Sequence, residues 1–182
     1  MEYVDIYTEE GKPTGEILEK VEAYKRENVW LKGICVCILN SKNQILLQKR
    51  AKSKKIDPDL WDILYGHVQH GEDTIHASLR EIQEEIGVQV KKENLKSLMI
   101  QKEDYTKLGR IGKAYTECFY TKIDKPISEF TIDQEELQQI KWVDYQDLKQ
   151  KLLMHNPELR LKWENPNTQK WIQSIEEILN KN

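Results

Sequence analysis

The sequence contains few of the residues that mark disulfide-rich proteins. It has three cysteines, five prolines and eight glycines among 182 residues. An odd number of cysteines argues against a disulfide framework. Cys35 and Cys37 alternate with apolar neighbours, as expected for side chains in a buried strand. We find no internal repeat and no low-complexity segment.

Long apolar runs and an excess of one charge are also missing. The longest strongly apolar run, Ile34 to Leu39, is far too short to span a membrane. The acidic N-terminus, MEYVDIYTEE, lacks the apolar core of a signal peptide. The chain has 28 basic and 31 acidic residues and a formal net charge of −3. This balance gives no reason to expect binding to a nucleic acid polymer or to a membrane, and we expect a cytoplasmic protein.

The composition suits one folded domain with additions at both ends. Hydrophobic residues make up 38% of the chain and include five tryptophans. A chain of this length buries roughly 70% of its unfolded surface and needs no disulfide or metal for stability. We divide it into an N-terminal hairpin and connector (1–28) packed on the same domain, a main domain (29–155) and a C-terminal helical extension (156–182).

The hydrophobic pattern predicts strands, a central helix, more strands and C-terminal helices. This order favours an α/β (α+β) fold with a mixed sheet covered by helices on both sides. The predicted strands are a hairpin over Tyr3 to Ile17, with its turn at Gly11 to Gly15, then Val29–Leu39, Gln44–Arg50, Leu60–Tyr65, Leu98–Lys102, Tyr115–Ile123 and Gln139–Val143. The predicted helices are Thr74–Ile86, Tyr145–His155 and Thr168–Leu179.

The predicted central helix carries three glutamates on one arc. Its apolar residues, spaced by 4, 3 and 4 positions, form a separate stripe of Ile75, Leu79, Ile82 and Ile86. Glu81, Glu84 and Glu85 lie on a different arc, and Ala77 leaves room beside them. Carboxylates this close repel one another, and a divalent cation such as Mg²⁺ reverses that effect. The alternative is a solvated acidic face.

The segment from Gly66 to Val88, GHVQHGEDTIHASLREIQEEIGV, favours the metal-binding interpretation of the glutamates over the solvated acidic face. A chance match of its full pattern in a chain this long is on the order of one in ten million. It resembles the Nudix box, which is typical of the Nudix hydrolase family, at every specified position. Those positions are Gly66, Glu72, Arg80, Glu81, Ile82, Glu84, Glu85, Gly87 and Val88.

The resemblance implies a Nudix-type α/β/α sandwich and a hydrolase that uses Mg²⁺ or Mn²⁺. Such enzymes split a small-molecule nucleoside diphosphate derivative, NDP-X, into NMP and phospho-X. Glu84 and Glu85 would bind metal, with the carbonyl of Gly66 as a further ligand. Glu81 would be another ligand or the group that activates water. Arg80 would orient the glutamates through Glu72; the alternative is an ordinary surface pair.

A glutamate from a later loop often completes such sites. The segment DQEELQQIKWV resembles the usual late segment, in which an acid precedes a tryptophan-bearing strand. We choose Glu136, with Glu135 as the alternate, and either Glu81 or Glu136 as the general base. The alternative for Glu136 is an exposed glutamate of a turn.

The approach to the box resembles that of isopentenyl diphosphate isomerases, which share the Nudix fold. Their catalytic cysteine precedes a Gly-His pair, where this chain has Tyr65, so hydrolysis is favoured over isomerisation. Non-catalytic nucleotide binding is the other alternative.

A basic loop and His67 are candidate phosphate contacts, the loop residues being Lys52, Lys54 and Lys55. Both terminal segments either shape the substrate pocket or form a homodimer contact.

Overall fold

The structure, a computed structural model, describes residues 1–108 and 112–181. Its strands are β1 (Tyr3–Tyr7), β2 (Pro13–Glu19), β3 (Trp30–Leu39), β4 (Gln44–Arg50), β5 (Trp61–Asp62), β6 (Leu64–His67), β7 (Lys96–Asp104), β8 (Lys113–Lys122) and β9 (Leu137–Asp144). Its α-helices are α1 (Lys20–Ala23), α2 (Thr74–Ile86), α3 (Tyr145–Leu153) and α4 (Pro166–Leu179). Short 3-10 helices span Lys92–Asn94, Tyr105–Leu108 and Ile127–Glu129.

The strands form one mixed sheet organised around β3. Strand β3 runs parallel to β8 over ten register pairs and antiparallel to β6 and β4. Strand β7 extends the sheet beyond β8, and β9 pairs with β4. The hairpin of β1 and β2 joins through the pair Tyr7 and Trp30. The pairing of β3 with β6 sets Ile34 opposite Gly66 and therefore brings the start of the box into the sheet.

Alternate side chains of β3 enter two different hydrophobic clusters. Ile34, Val36 and Ile38 pack with residues of α2, including Ile82 and Ile86. Cys35, Cys37 and Leu39 lie on the other face, where the apolar residues of α3 and α4 cover them. Because both faces of the strand are buried, its sequence is almost continuously apolar. Helices therefore cover both faces of a mixed sheet, which confirms the predicted fold class.

The terminal segments pack on this domain. Val4 and Ile6 of the hairpin are buried with Leu31, and Trp171 of α4 is 1% exposed within the main core. The predicted hairpin turn was placed too late, because Pro13 already begins β2, at a strand end where its missing N–H costs no ladder bond. Within the described residues, every helix is too short or too polar to cross a lipid bilayer.

Candidate functional site

Helix α2 has the predicted bounds, and both ends are fixed by local chemistry. At its start, the Asp73 carboxylate accepts a 2.7 Å hydrogen bond from the backbone N–H of His76. At its end, Gly87 adopts a left-handed conformation with φ 69°. Any side chain at Gly87 would also press on Thr131. These caps fix which turns of the helix carry the glutamates.

The three glutamates differ in exposure, and the alternative of a solvated acidic face does not describe all of them. Glu85 is 6% exposed, the Glu81 side chain is 13% exposed, and only Glu84 is largely exposed. Ala77, which we had placed beside the glutamates to leave room, is fully buried in the core. Glu81 and Glu85 therefore face a cleft between the helix and the sheet. The sheet covers the apolar stripe of the helix and also part of the arc that carries the glutamates.

The guanidinium of Arg80 forms hydrogen bonds with several residues of the motif. Its Nε and Nη2 donate to both oxygens of Glu72, at 2.8 and 3.1 Å. Its Nη1 donates to Glu81 and Glu84, at 3.0 Å each, and its Nη2 also donates to the carbonyl of His67 at 2.9 Å. One planar guanidinium thus joins three carboxylates to the loop before the helix. The pair of Arg80 and Glu72 is not an ordinary surface pair, since both side chains are about one-fifth exposed.

Burial changes the acidity of the carboxyl groups unevenly. Burial raises the pKa of Glu81, and the charge of Arg80 opposes that change. Burial and the negative charge of Glu81 raise the pKa of Glu85 to about 8, although Gln48 donates a 2.8 Å hydrogen bond to it. Burial is also the largest influence on Glu72, but the hydrogen bonds from Arg80 and from the backbone N–H of Gln69, together with the charge of Arg80, outweigh it and lower the pKa of Glu72. Among the residues that the structure describes, these two buried carboxyls thus lack sufficient neighbouring positive charge, which a cation would supply.

The donor set suits a hard divalent cation. Arg80 occupies one oxygen of Glu81 and one of Glu84, and Gln48 occupies one of Glu85. Each carboxylate keeps a second oxygen without a hydrogen bond in the part of the chain that the structure describes. Among those residues, no three His, Cys, Asp or Glu side chains already stand as a formed metal-ligand cluster. Carboxylate oxygens are nevertheless the ligands that Mg²⁺ and Mn²⁺ prefer, so the chemistry of these residues fits the implied metal.

The glutamates open into a cavity of about 420 Å³, here called the glutamate cleft. Of the residues chosen from the sequence, the cleft is lined by Gly66, His67, Lys54, Glu81, Glu84, Glu85 and Glu136. Glu136 forms an ion pair with Lys54, with Oε1 and Nζ 2.5 Å apart. Lys52, Lys55 and the alternate Glu135 are exposed and do not line the cleft. Only one of the three lysines of the basic loop is therefore brought to the site.

His67 faces the cleft as a neutral side chain. Burial, followed by the charges of Lys20 and Arg80, lowers its pKa to about 4. Its Nε2 contacts the hydroxyl of Tyr24, which comes from the N-terminal segment. At neutral pH, His67 can meet a phosphate only as an uncharged hydrogen-bonding group.

Several cleft residues were missed from the sequence. They come from both terminal segments, from the sheet and from the loop before β9, and include Lys20, Tyr24, Arg50, Lys113, Asp133 and Arg160. Burial lowers the pKa of Lys20, while the nearby charges of Glu81 and Glu136 oppose that change. No spacing signal marks these residues, because they reach the cleft from distant parts of the chain. The cleft thus brings cationic side chains together with the glutamates in one cavity.

Comparisons with known proteins agree with this geometry. A family model described as "NUDIX domain" matches residues 30–163. The chain is 28% identical over 167 residues to "Nudix hydrolase 3" of Arabidopsis thaliana, covering 86% of this chain but only 21% of that protein. It is 34% identical over 90 residues to the isopentenyl-diphosphate Delta-isomerase of Citrobacter koseri, covering 49% of each protein. The crystal structure of DR0079 from Deinococcus radiodurans has a similar fold, with a TM-score of 0.66 at 17% identity over 84% of this chain and 90% of that one.

Proposed function

The chain belongs to the Nudix family, as its box predicted, and we propose that it hydrolyses a diphosphate linkage in a nucleoside diphosphate derivative. In this proposal, NDP-X and water give NMP and phospho-X, with Mg²⁺ or Mn²⁺ as the cofactor. The family is consistent with pyrophosphate hydrolysis. The identity of X, the nucleoside and the metal are the parts of the proposal that need experiment.

One observation carries the proposal. Three box glutamates, Glu81, Glu84 and Glu85, stand at one cleft, and Arg80 binds the first two of them directly. Lysine and arginine side chains of other elements line the same cleft. A substrate that carries two linked phosphates and arrives with a divalent cation satisfies both sets of charges.

The residues have distinct roles in this reaction. Glu84, Glu85 and Glu81 would hold the metal, with the Gly66 carbonyl as a further ligand. A bound divalent cation would neutralise the diphosphate and acidify a water molecule. Arg80 holds Glu81 and Glu84 in place through its anchor on Glu72.

Two carboxylates are candidates for the general base. Glu81 lines the cleft, and its side chain packs against Gly66. Glu136 faces the same cleft from the loop before β9 and accepts from Lys54. Either could take the proton of the attacking water.

One observation supports the isomerase alternative, namely the similarity to isopentenyl diphosphate isomerases over about half of the chain. Its chemistry needs a cysteine at the site, and none is in place here. Position 65 is tyrosine, and all three cysteines are fully buried on the sheet rather than lining the cleft. The isomerase alternative predicts uptake of solvent label into isopentenyl diphosphate, so an enzyme that incorporates no label excludes it.

A panel assay tests the proposal. Purified protein with Mg²⁺ or Mn²⁺ is incubated with nucleotide sugars, dinucleotides, nucleoside triphosphates and prenyl diphosphates, and the products are identified. We expect monophosphate products from at least one nucleotide.

Glu84→Gln and Glu85→Gln should lower kcat by at least 100-fold with the fold retained, whereas Glu177→Gln on the exposed face of α4 should not. Full activity in both cleft variants would overturn the assignment, and tight nucleotide binding without cleavage would favour the non-catalytic alternative.

A further inference from the structure

A second and larger cavity adjoins the glutamate cleft. It has a volume of about 980 Å³ and lies between β7 and the segment that runs from Arg160 into α4. We call it the β7–α4 chamber. Tyr65, Tyr105 and Arg160 line both the chamber and the cleft, so the two spaces adjoin at these three side chains. A substrate bound at the glutamates needs to reach only past these side chains to enter the chamber.

The junction between the two spaces is held rigidly. The Arg160 guanidinium donates to Asp57 at 2.8 Å and to Asp62 at 2.7 Å. It also stacks over the ring of Tyr65, with 5.2 Å between its Cζ and the ring centroid. Asp62 is 1% exposed, so this arrangement is fixed within the core rather than on the surface. The position of the three side chains between the cleft and the chamber is thus set by the fold.

The charged side chains of the chamber already have partners within the chain. Glu103 accepts from Asn165 at 2.7 Å and from Asn167. Ion pairs join Glu9 to Lys102 and Glu164 to His155, while Lys162 donates to the carbonyl of Leu159. Asp104 lies 3.7 Å from Lys113. The chamber therefore has no strong preference for a charged group.

Gln101 is different from these residues. It is 5% exposed, lines the chamber, and lies two positions before Glu103 on the same face of β7. Within residues 1–108 and 112–181, its side-chain amide has no hydrogen-bond partner. Because this unpaired amide belongs to a side chain that lines the chamber, it can form hydrogen bonds with a ligand or water that enters it. The amide offers both a donor and an acceptor to whatever enters the chamber.

We propose that the β7–α4 chamber binds the uncharged, non-reacting group of the substrate and that Gln101 selects it. This inference rests on the proposed function. The chemistry of the site calls for a group with both a hydrogen-bond donor and an acceptor, which a nucleobase carries. The volume of the chamber is in the range that encloses a whole ligand of drug size. A five-carbon prenyl group would leave most of the space empty and Gln101 unpaired.

The test compares Gln101→Leu with Gln139→Leu. Gln139 is exposed on β9, so the control makes the same chemical change outside the chamber. On the best nucleotide substrate of the panel, Gln101→Leu should raise KM about 10-fold, the size of one hydrogen bond lost to a buried partner, and leave kcat within about twofold. Its Tm should stay the same, because the substitution breaks no hydrogen bond of this side chain within the described residues. A structural role for Gln101 would instead lower Tm.

Binding separates failure of this inference from failure of the proposed function. Calorimetry with AMP, GMP, CMP and UMP in chelator should show that wild type binds at least one nucleotide and that Gln101→Leu weakens this binding about 10-fold. If no panel compound is hydrolysed but this difference is observed, the proposed function fails and the chamber assignment stands. If a nucleotide is hydrolysed and Gln101→Leu changes neither KM nor binding, the chamber assignment alone is overturned.

Discussion

The side chain of Glu81 occupies the space that any side chain at Gly66 would need. A Cβ at position 66 would lie 2.4 Å from Cδ and 2.5 Å from Cγ of Glu81. Gly66 is held opposite Ile34 in the sheet, and Glu81 is held by Arg80 on α2. The glycine of the motif is therefore required by a close approach between the sheet and helix α2.

Gly66→Ala should destabilise the protein and displace Glu81. We expect a loss of about 1–3 kcal/mol in the free energy of unfolding, as for other overpacked sites, and a decrease in kcat of at least tenfold. Urea unfolding and steady-state kinetics measure the two effects.

A double-mutant cycle provides the control for Gly66→Ala. Because the three nearest atoms all belong to Glu81, the alanine should cost little stability in a Glu81→Ala background. An equal loss of stability in both backgrounds would show that the contact with Glu81 is not the reason for the glycine.

The stability of the metal-free protein should depend on the ionisation of Glu85. Its pKa rises from an ordinary value of 4.5 to about 8 on folding. Below the lower value the carboxyl is protonated in both states, so its contribution is constant. Between the two values the unfolded state binds fewer protons, and stability falls as the pH rises. A shift of this size corresponds to roughly 5 kcal/mol.

Urea unfolding from pH 5 to 9 in chelator measures this dependence. Glu85→Gln should lack this part of the decrease in stability between pH 5 and 8, while Glu177→Gln should follow wild type. Mg²⁺ should restore stability to wild type at pH 8 and not to Glu85→Gln. Identical pH profiles for wild type and Glu85→Gln would contradict the assigned pKa.

Arg80→Lys should weaken the site although the charge is kept. A lysine cannot reproduce the paired bonds of the guanidinium to Glu72 while also reaching Glu81 and Glu84. We expect a decrease of about 10- to 100-fold in kcat or in metal affinity, as for other groups that orient metal ligands. Arg26→Lys is the matched control, since Arg26 forms an exposed pair with Glu16. Wild-type kinetics in Arg80→Lys would show that a single positive charge is sufficient.

Glu136→Gln separates the two candidates for the general base. If Glu136 takes the proton, kcat should decrease by about 10²- to 10⁴-fold with little change in stability, because its ion pair with Lys54 is partly exposed. Glu135→Gln, one position earlier and exposed outside the cleft, should behave as wild type. A Glu136→Gln enzyme with unchanged kcat assigns proton transfer to Glu81 instead. Equal decreases in both variants would point to a general effect of the loop.

The amino-acid sequence alone predicted the family, the mixed α/β fold and the bounds of α2. These follow from local rules, since Asp73 and Gly87 terminate the helix through their own backbone and side-chain chemistry. The resemblance to the Nudix box also implied that Arg80 would orient the glutamates through Glu72. In the structure, the guanidinium of Arg80 donates to Glu72, Glu81 and Glu84, and its role in orienting metal ligands stays a prediction.

The tertiary structure decided which charges share a cavity and which polar groups lack partners. Lys54 reaches the glutamates while Lys52 and Lys55 point elsewhere, although the three lie in one basic run. Lys20, Gln101 and Arg160 come from segments far apart in the chain, and no local pattern distinguishes them from other polar residues. Burial and electrostatic coupling depend on what the folded chain packs against each side chain, and that information appears only when distant segments meet.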